Sequence, residues 1–141
     1  YWNDPERSQQ VLVNGWFRTG DLAILTPSGH IQMKGRNDDV INIGGKKVFP
    51  QEIEQYLMSH PSVQDCACYS VVNELMGEQI QAFIVSNDTK LSTQEWVNIL
   101  RESLDSYKIP TQFEYVDSIP YTNTGKKKRE ALVNERAHKK P

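Results

Sequence analysis

Four short stretches bring together residue types able to handle a phosphate or a nucleotide. Arg18-Thr19-Gly20-Asp21 sets a carboxylate, with two acceptor oxygens, directly behind a glycine. Gly35-Arg36-Asn37-Asp38-Asp39 holds an arginine, whose planar guanidinium presents its donors in a fixed fork, in a run without an apolar residue. Gly44-Gly45-Lys46-Lys47 places two ammonium groups behind a bare stretch of backbone. Thr122-Asn123-Thr124-Gly125 is turn-forming, and Lys126-Lys127-Lys128-Arg129 puts four cations just after it. A lysine held out on a flexible glycine loop can carry a compact point charge into a phosphate site. Each stretch also has a plainer reading. Asp21 suits a strand end, where it accepts local backbone bonds, and Arg36 suits an exposed surface charge. Lys126–Arg129 suits the solvated basic start of a helix, where cations crowd the positive end at a mild cost that salt screens.

The elements that must position these residues follow from the local patterns. Val40–Ile43 and Lys46–Phe49 are apolar-rich runs separated by Gly44-Gly45, a two-residue loop able to supply the positive φ of a primed hairpin turn. Pro50 fits the first position of a helix over Gln51–His60, with Glu52 and Glu54 near its positive end and Ile53, Leu57 and His60 on one side, and Pro61 stops it. Upstream, Trp16–Leu25 and His30–Lys34 flank Thr26-Pro27-Ser28-Gly29, a type I turn signal that predicts another hairpin. Gly35–Asp39 then reads as an exposed joint. Downstream, strands are expected over Val63–Val72 and Gln79–Ser86, joined by a loop over Asn73–Glu78. Ser92 and Glu95 form a capping box opening a helix over Thr93–Leu104, with Trp96, Val97, Leu100 and Leu104 on one side. Tyr107–Pro110 ends that helix, Phe113–Val116 is a short third strand, a helix starts through Glu130–Leu132, and residues 133–141 read as a fraying tail. The sum is an α+β fold: a small antiparallel sheet covered by helices, with a separate glycine-tipped hairpin.

Composition narrows the classes. With 141 residues, 38% hydrophobic and 24% charged, the chain has the balance of one ordinary soluble domain. A net charge of −2 argues against a strongly basic nucleic-acid binder, although cations gather toward the C-terminus. No run approaches membrane-spanning length and no signal-peptide core opens the chain, which reads as cytoplasmic. Cys66 and Cys68 alternate onto one face of a strand and are expected to be reduced packing residues, since no nearby His or Cys completes a metal-ligand set. Tyr1 stands where an initiator methionine is expected, so the chain reads as part of a longer one.

Gly35–Glu54, GRNDDVINIGGKKVFPQEIE, closely resembles the domain-junction signature of the adenylate-forming enzymes, the superfamily of acyl-CoA synthetases, amino-acid adenylation domains and luciferases. Trp16–Leu22 (WFRTGDL) before it and Pro120–Lys126 (PYTNTGK) after it resemble two further signatures of the superfamily in the expected order. The resemblance implies roles. Asp21 would accept hydrogen bonds from the ribose hydroxyls of ATP, Arg36 would reach the ribose or phosphate, and Lys126 would be the catalytic lysine of adenylation. Asp38 matches the hinge, Gly44 and Gly45 would line the thiol channel, and Lys47 stands near the adenylate phosphate where the family often has arginine. Asn73 departs from the aspartate usual in the family's PDxxxGE motif.

The implied organisation is residues 1–35 as the end of a large N-terminal domain, 36–38 as hinge, and 39–141 as a mobile C-terminal domain. The implied chemistry uses ATP, Mg²⁺ and coenzyme A, with a carboxylic acid activated as acyl-AMP and then transferred to a thiol. The acid pocket and the Ser/Thr/Gly-rich phosphate loop would belong to the N-terminal domain, the chain's main partner. GGKKVFPQEIE and Tyr107-Lys108-Ile109-Pro110 look more like acyl- and aryl-CoA ligases than like amino-acid adenylation domains. A carrier-protein thiol is the other acceptor to weigh. A non-catalytic module binding RNA through Lys126–Arg129 is a third reading, which the strands do not favour because they lack an aromatic-rich pattern.

Overall fold

The computed structural model describes residues 2–73, 75, 77–87 and 89–132. The chain divides into two compact units, with the division between Asp39 and Val40.

The first unit consists of local pairings. Helix α1 (Pro5–Val11) has Asp4 as its N-cap, the Arg7 N–H donating to Asp4 Oδ1 at 2.9 Å. Strands β1 (Leu12–Val13) and β2 (Trp16–Phe17) pair antiparallel around Asn14-Gly15, both at positive φ (52° and 80°). That Asn-Gly pair is a type I′ hairpin signal, and the strand expected over Trp16–Leu25 is broken between Phe17 and Asp21. The chain turns again at Gly20 (φ 77°) before β3 (Asp21–Leu25) pairs with β4 (Ile31–Arg36) around the expected turn. The exposed joint expected over Gly35–Asp39 is correspondingly shorter. The ladder runs on to Leu22↔Gly35 and Asp21↔Arg36, burying Gly35, and only Asn37–Asp39 form a separate 3₁₀ turn. No apolar side chain of residues 2–39 is buried: Trp16, Leu25 and Ile31 are each more than 70% exposed. Helices and hairpins this short do not hold themselves together in water.

The second unit has a core. Strands β5 (Ile41–Ile43) and β6 (Lys46–Val48) make the expected hairpin, with Gly44 and Gly45 at φ 56° and 84°. Helix α2 (Pro50–Met58) follows. Strands β7 (Val63–Asn73) and β8 (Gly77–Ser86) pair antiparallel, closing on Asn73↔Gly77, so the loop expected over Asn73–Glu78 shrinks; Glu74 and Met76 lie outside the described residues. Helix α3 (Thr93–Arg101) starts at the expected capping box. Strand β9 (Gln112–Tyr115) completes the order β7-β8-β9 but runs parallel to β8, so this sheet is mixed rather than wholly antiparallel. The reason is the connection: α3 carries the chain back before β9 begins, the crossover that a parallel neighbour requires.

Alternation along β7 and β8 gives the sheet two apolar faces. Cys66, Cys68, Ile80, Ala82 and Ile84 face Ile53 and Leu57 of α2 and Trp96 and Leu100 of α3. Ala67 and Phe83 face the other way, against Ile119 and Leu132. Both cysteines are buried thiols, and burial pushes Cys66 up to about 12 and Cys68 well above its ordinary value. The hairpin forms its own two-stranded sheet, yet Ile41 (3% exposed) and Val48 (0%) at its base belong to the main core, while its glycine tip stands free. On α3, the buried Trp96 stacks on Phe113, and its indole N–H donates to the Tyr115 hydroxyl at 3.0 Å. Residues 129–132 are helical, and the expected tail over 133–141 lies outside the described residues.

Candidate functional site

In the first unit, register sets the candidate pair. Asp21 and Arg36 are partners across β3 and β4, and Arg36 Nη1 donates to Asp21 Oδ1 at 3.2 Å. With 38% and 33% of the two side chains exposed, solvent screens this ion pair, which is worth under about 1 kcal/mol. The glycine before Asp21 is needed where it stands. Gly20 has positive φ, a Cβ there would come 3.5 Å from Arg36 Nη2, and its carbonyl accepts the Asn37 N–H at 2.8 Å. The arginine carries an unmet demand, since its Nε is buried with no hydrogen-bond partner among the described residues. A buried donor left so costs about 1–3 kcal/mol.

In the second unit, the Gly44-Gly45 tip is bare backbone with open space wherever a Cβ would project. Lys47 on β6 is exposed, and its neighbour Lys46 lies over the Tyr107 ring at 4.2 Å. Lys108 is held by Glu52 at 3.0 Å and by Asp105 at 3.4 Å, and the Glu52 hydrogen bond raises its pKa. Glu52 thus ties the Tyr107–Pro110 segment to the first turn of α2.

Lys126 is exposed, but its loop is not the flexible one expected. Thr122 N–H donates to the Lys126 carbonyl at 2.7 Å, Gly125 N–H to the Thr122 carbonyl at 3.0 Å, and Lys126 N–H to Thr122 Oγ1 at 3.0 Å. Below this turn Tyr121 and Lys127 form an antiparallel bridge, and Lys128 N–H donates to the Pro120 carbonyl at 2.8 Å. The result is a small hairpin with Lys126 at its tip.

The four cations therefore do not share one solvated face. Lys126 and Lys128 are exposed, Lys127 is half-buried, and Arg129 is buried at 8% exposure. Both inward cations meet Glu54, itself buried on α2. Arg129 Nε and Nη2 donate to Glu54 Oε1 at 3.2 and 3.0 Å, and Lys127 Nζ to Oε2 at 3.0 Å. Glu54 Oε1 also accepts the Cys68 N–H at 2.9 Å, and Lys127 donates to the Cys66 carbonyl. Strand β7 is an edge of its sheet, so these groups satisfy backbone that no further strand covers. Burial opposes the charge on Lys127, yet Glu54 outweighs it and the pKa is raised. A raised value means that this contribution is present below the ordinary 10.5 and is lost as pH rises through the folded pKa.

Glu54→Ala in this chain removes one carboxylate and leaves two cations and a strand N–H without their shared acceptor. It is expected to lower stability by about 3–5 kcal/mol, the scale of breaking a buried pair. Urea unfolding measures this, and a midpoint near that of wild type would show the network to be dispensable.

Sequence reasoning missed Glu54, Tyr121, Lys127, Arg129 and Asp65, whose carboxylate accepts the Tyr121 hydroxyl at 2.8 Å, as structural neighbours of the Lys126 loop. One signal was present: Glu54 stands four residues after Pro50 and three before Leu57, on the buried stripe of α2. The second unit also separates its two candidate elements. Ile119 and Leu132, which bracket Lys126, pack on one face of the sheet, whereas Ile41 and Val48 of the hairpin join the core on the other.

Residues 52–126 match the family model described as the AMP-binding enzyme C-terminal domain. The chain is 36% identical over 135 residues to the long-chain-fatty-acid–CoA ligase of Escherichia coli, covering 96% of this chain and 24% of that enzyme. It is 42% identical over 133 residues to the 2,3-dihydroxybenzoate-AMP ligase of Bacillus subtilis, covering 94% and 25%. Among solved structures, the anthranilate CoA ligase AuaEII in complex with anthranoyl-AMP superimposes with a TM-score of 0.86 at 31% identity, over 96% of this chain and 27% of that one. The chain spans about a quarter of the length of the curated relatives it matches.

Proposed function

Because this chain belongs to the family of AMP-binding enzyme C-terminal domains, we propose that it is the C-terminal part of an ATP-dependent acyl-CoA synthetase. The observation that carries the reading is identity of 36% to long-chain-fatty-acid–CoA ligases along nearly the whole chain, both units included. The unburied apolar residues of the first unit support it as well, since residues 1–35 then form the end of a larger N-terminal domain that covers them. In this reading 36–38 are the hinge, consistent with the division just beyond Asp38, and the second unit is the mobile domain.

The reaction has two halves. A carboxylate attacks the α-phosphate of ATP, releasing pyrophosphate and forming acyl-AMP; the thiol of coenzyme A then attacks the acyl carbon and releases AMP. Two anions must meet in the first half. Lys126 on its small hairpin brings a positive charge between them, stabilising the negative charge that builds on the phosphoryl oxygens. Asp21 accepts from the ribose hydroxyls. Arg36, whose buried Nε lacks a partner among the described residues, supplies donors for ribose or phosphate. Mg²⁺ supplies charge neutralisation at the triphosphate. Among the described residues no cluster of three or more His, Cys, Asp or Glu side chains is arranged to hold a metal. In the second half the Gly44-Gly45 tip lets a slender pantetheine arm pass along bare backbone, with Lys47 as the nearby cation.

The 42% identity to a 2,3-dihydroxybenzoate-AMP ligase supports a second reading, in which the activated acid is aromatic, and a carrier-protein thiol is the alternative acceptor. Supplying the longer enzyme with ATP and fatty or aryl acids, and with either coenzyme A or holo-carrier protein, separates the two. Acyl-CoA with release of AMP is expected, and loading of the carrier alone would replace the proposal by the second reading. The 141-residue chain by itself is expected to form no acyl-CoA, because Asp21 and Arg36 offer too few contacts to hold ATP. Turnover by the isolated chain would overturn that expectation.

A further inference from the structure

Lys127 is the half-buried cation of the C-terminal run, and it is not the only group that its partners engage. Its carboxylate partner Glu54 is already engaged by two nitrogens of Arg129 and by the Cys68 N–H. Its second partner Asp65, 3.8 Å away, accepts the Cys66 N–H at 2.8 Å and the Tyr121 hydroxyl at 2.8 Å. Withdrawing an ammonium from water is costly, and apolar side chains that replace a buried ion pair as a whole often do so at no loss of stability. Lys127 joins three elements at one point: α2 through Glu54, β7 through Asp65 and the Cys66 carbonyl, and the base of the Lys126 hairpin through its own backbone bridge to Tyr121. Tyr121, the other half of that bridge, is fastened to the same Asp65.

We infer that Lys127, with Asp65 and Tyr121, is a positioning clamp that fixes the root of the Lys126 hairpin on the edge of β7 and so sets where the Lys126 ammonium is presented during adenylation. The inference rests on the reading of Lys126 as the adenylation lysine. Adjacent residues of an extended segment point in opposite directions, so anchoring Lys127 inward aims Lys126 outward. The hairpin turn itself is closed by backbone and threonine bonds that do not involve Lys127. Loss of the clamp therefore lets an intact turn tilt rather than unravel. Thioester formation, which uses the Gly44-Gly45 hairpin, is not served by the clamp, whose bonds run to Glu54, Asp65, the Cys66 carbonyl and Tyr121 rather than to that hairpin.

The test uses the longer enzyme carrying Lys127→Met, Lys127→Arg, Tyr121→Phe and, as reference, Lys126→Ala. Acid-dependent pyrophosphate exchange reads adenylation, and conversion of preformed acyl-AMP to acyl-CoA reads the thioester half. Lys127→Met is expected to lower kcat for exchange by about 10–10²-fold, the scale of a misplacement of about 1 Å, with KM for ATP and the thioester half near wild type. Lys127→Arg is expected to recover most of the loss. Tyr121→Phe, which deletes one exposed hydroxyl and no charge, is expected to show a smaller loss of the same kind at an unchanged melting temperature, which keeps the inference testable should Lys127→Met fold poorly. Full exchange activity in Lys127→Met and Tyr121→Phe, alongside a severe loss in Lys126→Ala, would overturn the clamp alone. Equal loss in both half-reactions would show Lys127 to be merely structural. Wild-type exchange in Lys126→Ala would remove the parent reading, and the clamp with it.

Discussion

Lys126→Ala in the longer enzyme is expected to slow adenylation by about 10²–10³-fold, the scale of deleting one preorganised electrostatic group, while acyl-AMP supplied ready-made is still converted to acyl-CoA. The asymmetry follows from where charge accumulates. A carboxylate approaching a triphosphate needs a cation between them, whereas a thiol attacking a mixed anhydride expels AMP and meets no comparable repulsion. Stability is expected to stay near wild type, because Lys126 is exposed and its turn is closed through its backbone N–H and carbonyl, which alanine keeps. Pyrophosphate exchange and a thermal melt check the two statements together. Equal damage to both half-reactions would mean that Lys126 acts elsewhere.

Asp38→Pro is expected to divide the half-reactions the other way. Residues that bracket the Lys126 hairpin pack on one face of the sheet and the glycine hairpin is rooted on the other, and in this account different placements of the second unit present the two to the nucleotide. In this account the unit turns, and the turning is absorbed at a few backbone dihedrals around Asn37–Asp39. Proline at 38 fixes its own φ near −65° and biases Asn37 away from helical values, which restricts the joint. No side chain of that 3₁₀ turn is buried, so unfolding is not the expected consequence. Pyrophosphate exchange should persist while thioester formation falls by orders of magnitude. Near-normal rates in both halves would remove Asp38 as the hinge, and joint loss with a lowered melting temperature would show only a broken junction.

Much of the second unit was legible because its signals are local. Gly44-Gly45 between two apolar runs fixes a hairpin, Pro50 opens α2, and Ser92 with Glu95 opens α3, all within four residues of the element they define. Asp21 and Arg36 were named separately, and the ladder that makes them partners follows from the turn at Pro27–Gly29 once its register is known. The losses have different causes. The hairpin around Asn14-Gly15 was missed because strands of two residues show no alternation to read. The direction of β9 depends on a crossover rather than on its own sequence. The fates of Lys126 to Arg129 depend on Glu54, which precedes Lys127 by 73 residues, and composition treats all four cations alike.

The central claim is that one enzyme makes and then consumes an acyl-adenylate, using this chain in both steps. A single-turnover quench of the longer enzyme with ATP and labelled carboxylic acid, followed by coenzyme A, tests it most directly. The account predicts acyl-AMP that accumulates before coenzyme A is added and converts to acyl-CoA afterwards. No acyl-AMP in the first phase, or an acyl-AMP pool that persists when coenzyme A arrives, would contradict it.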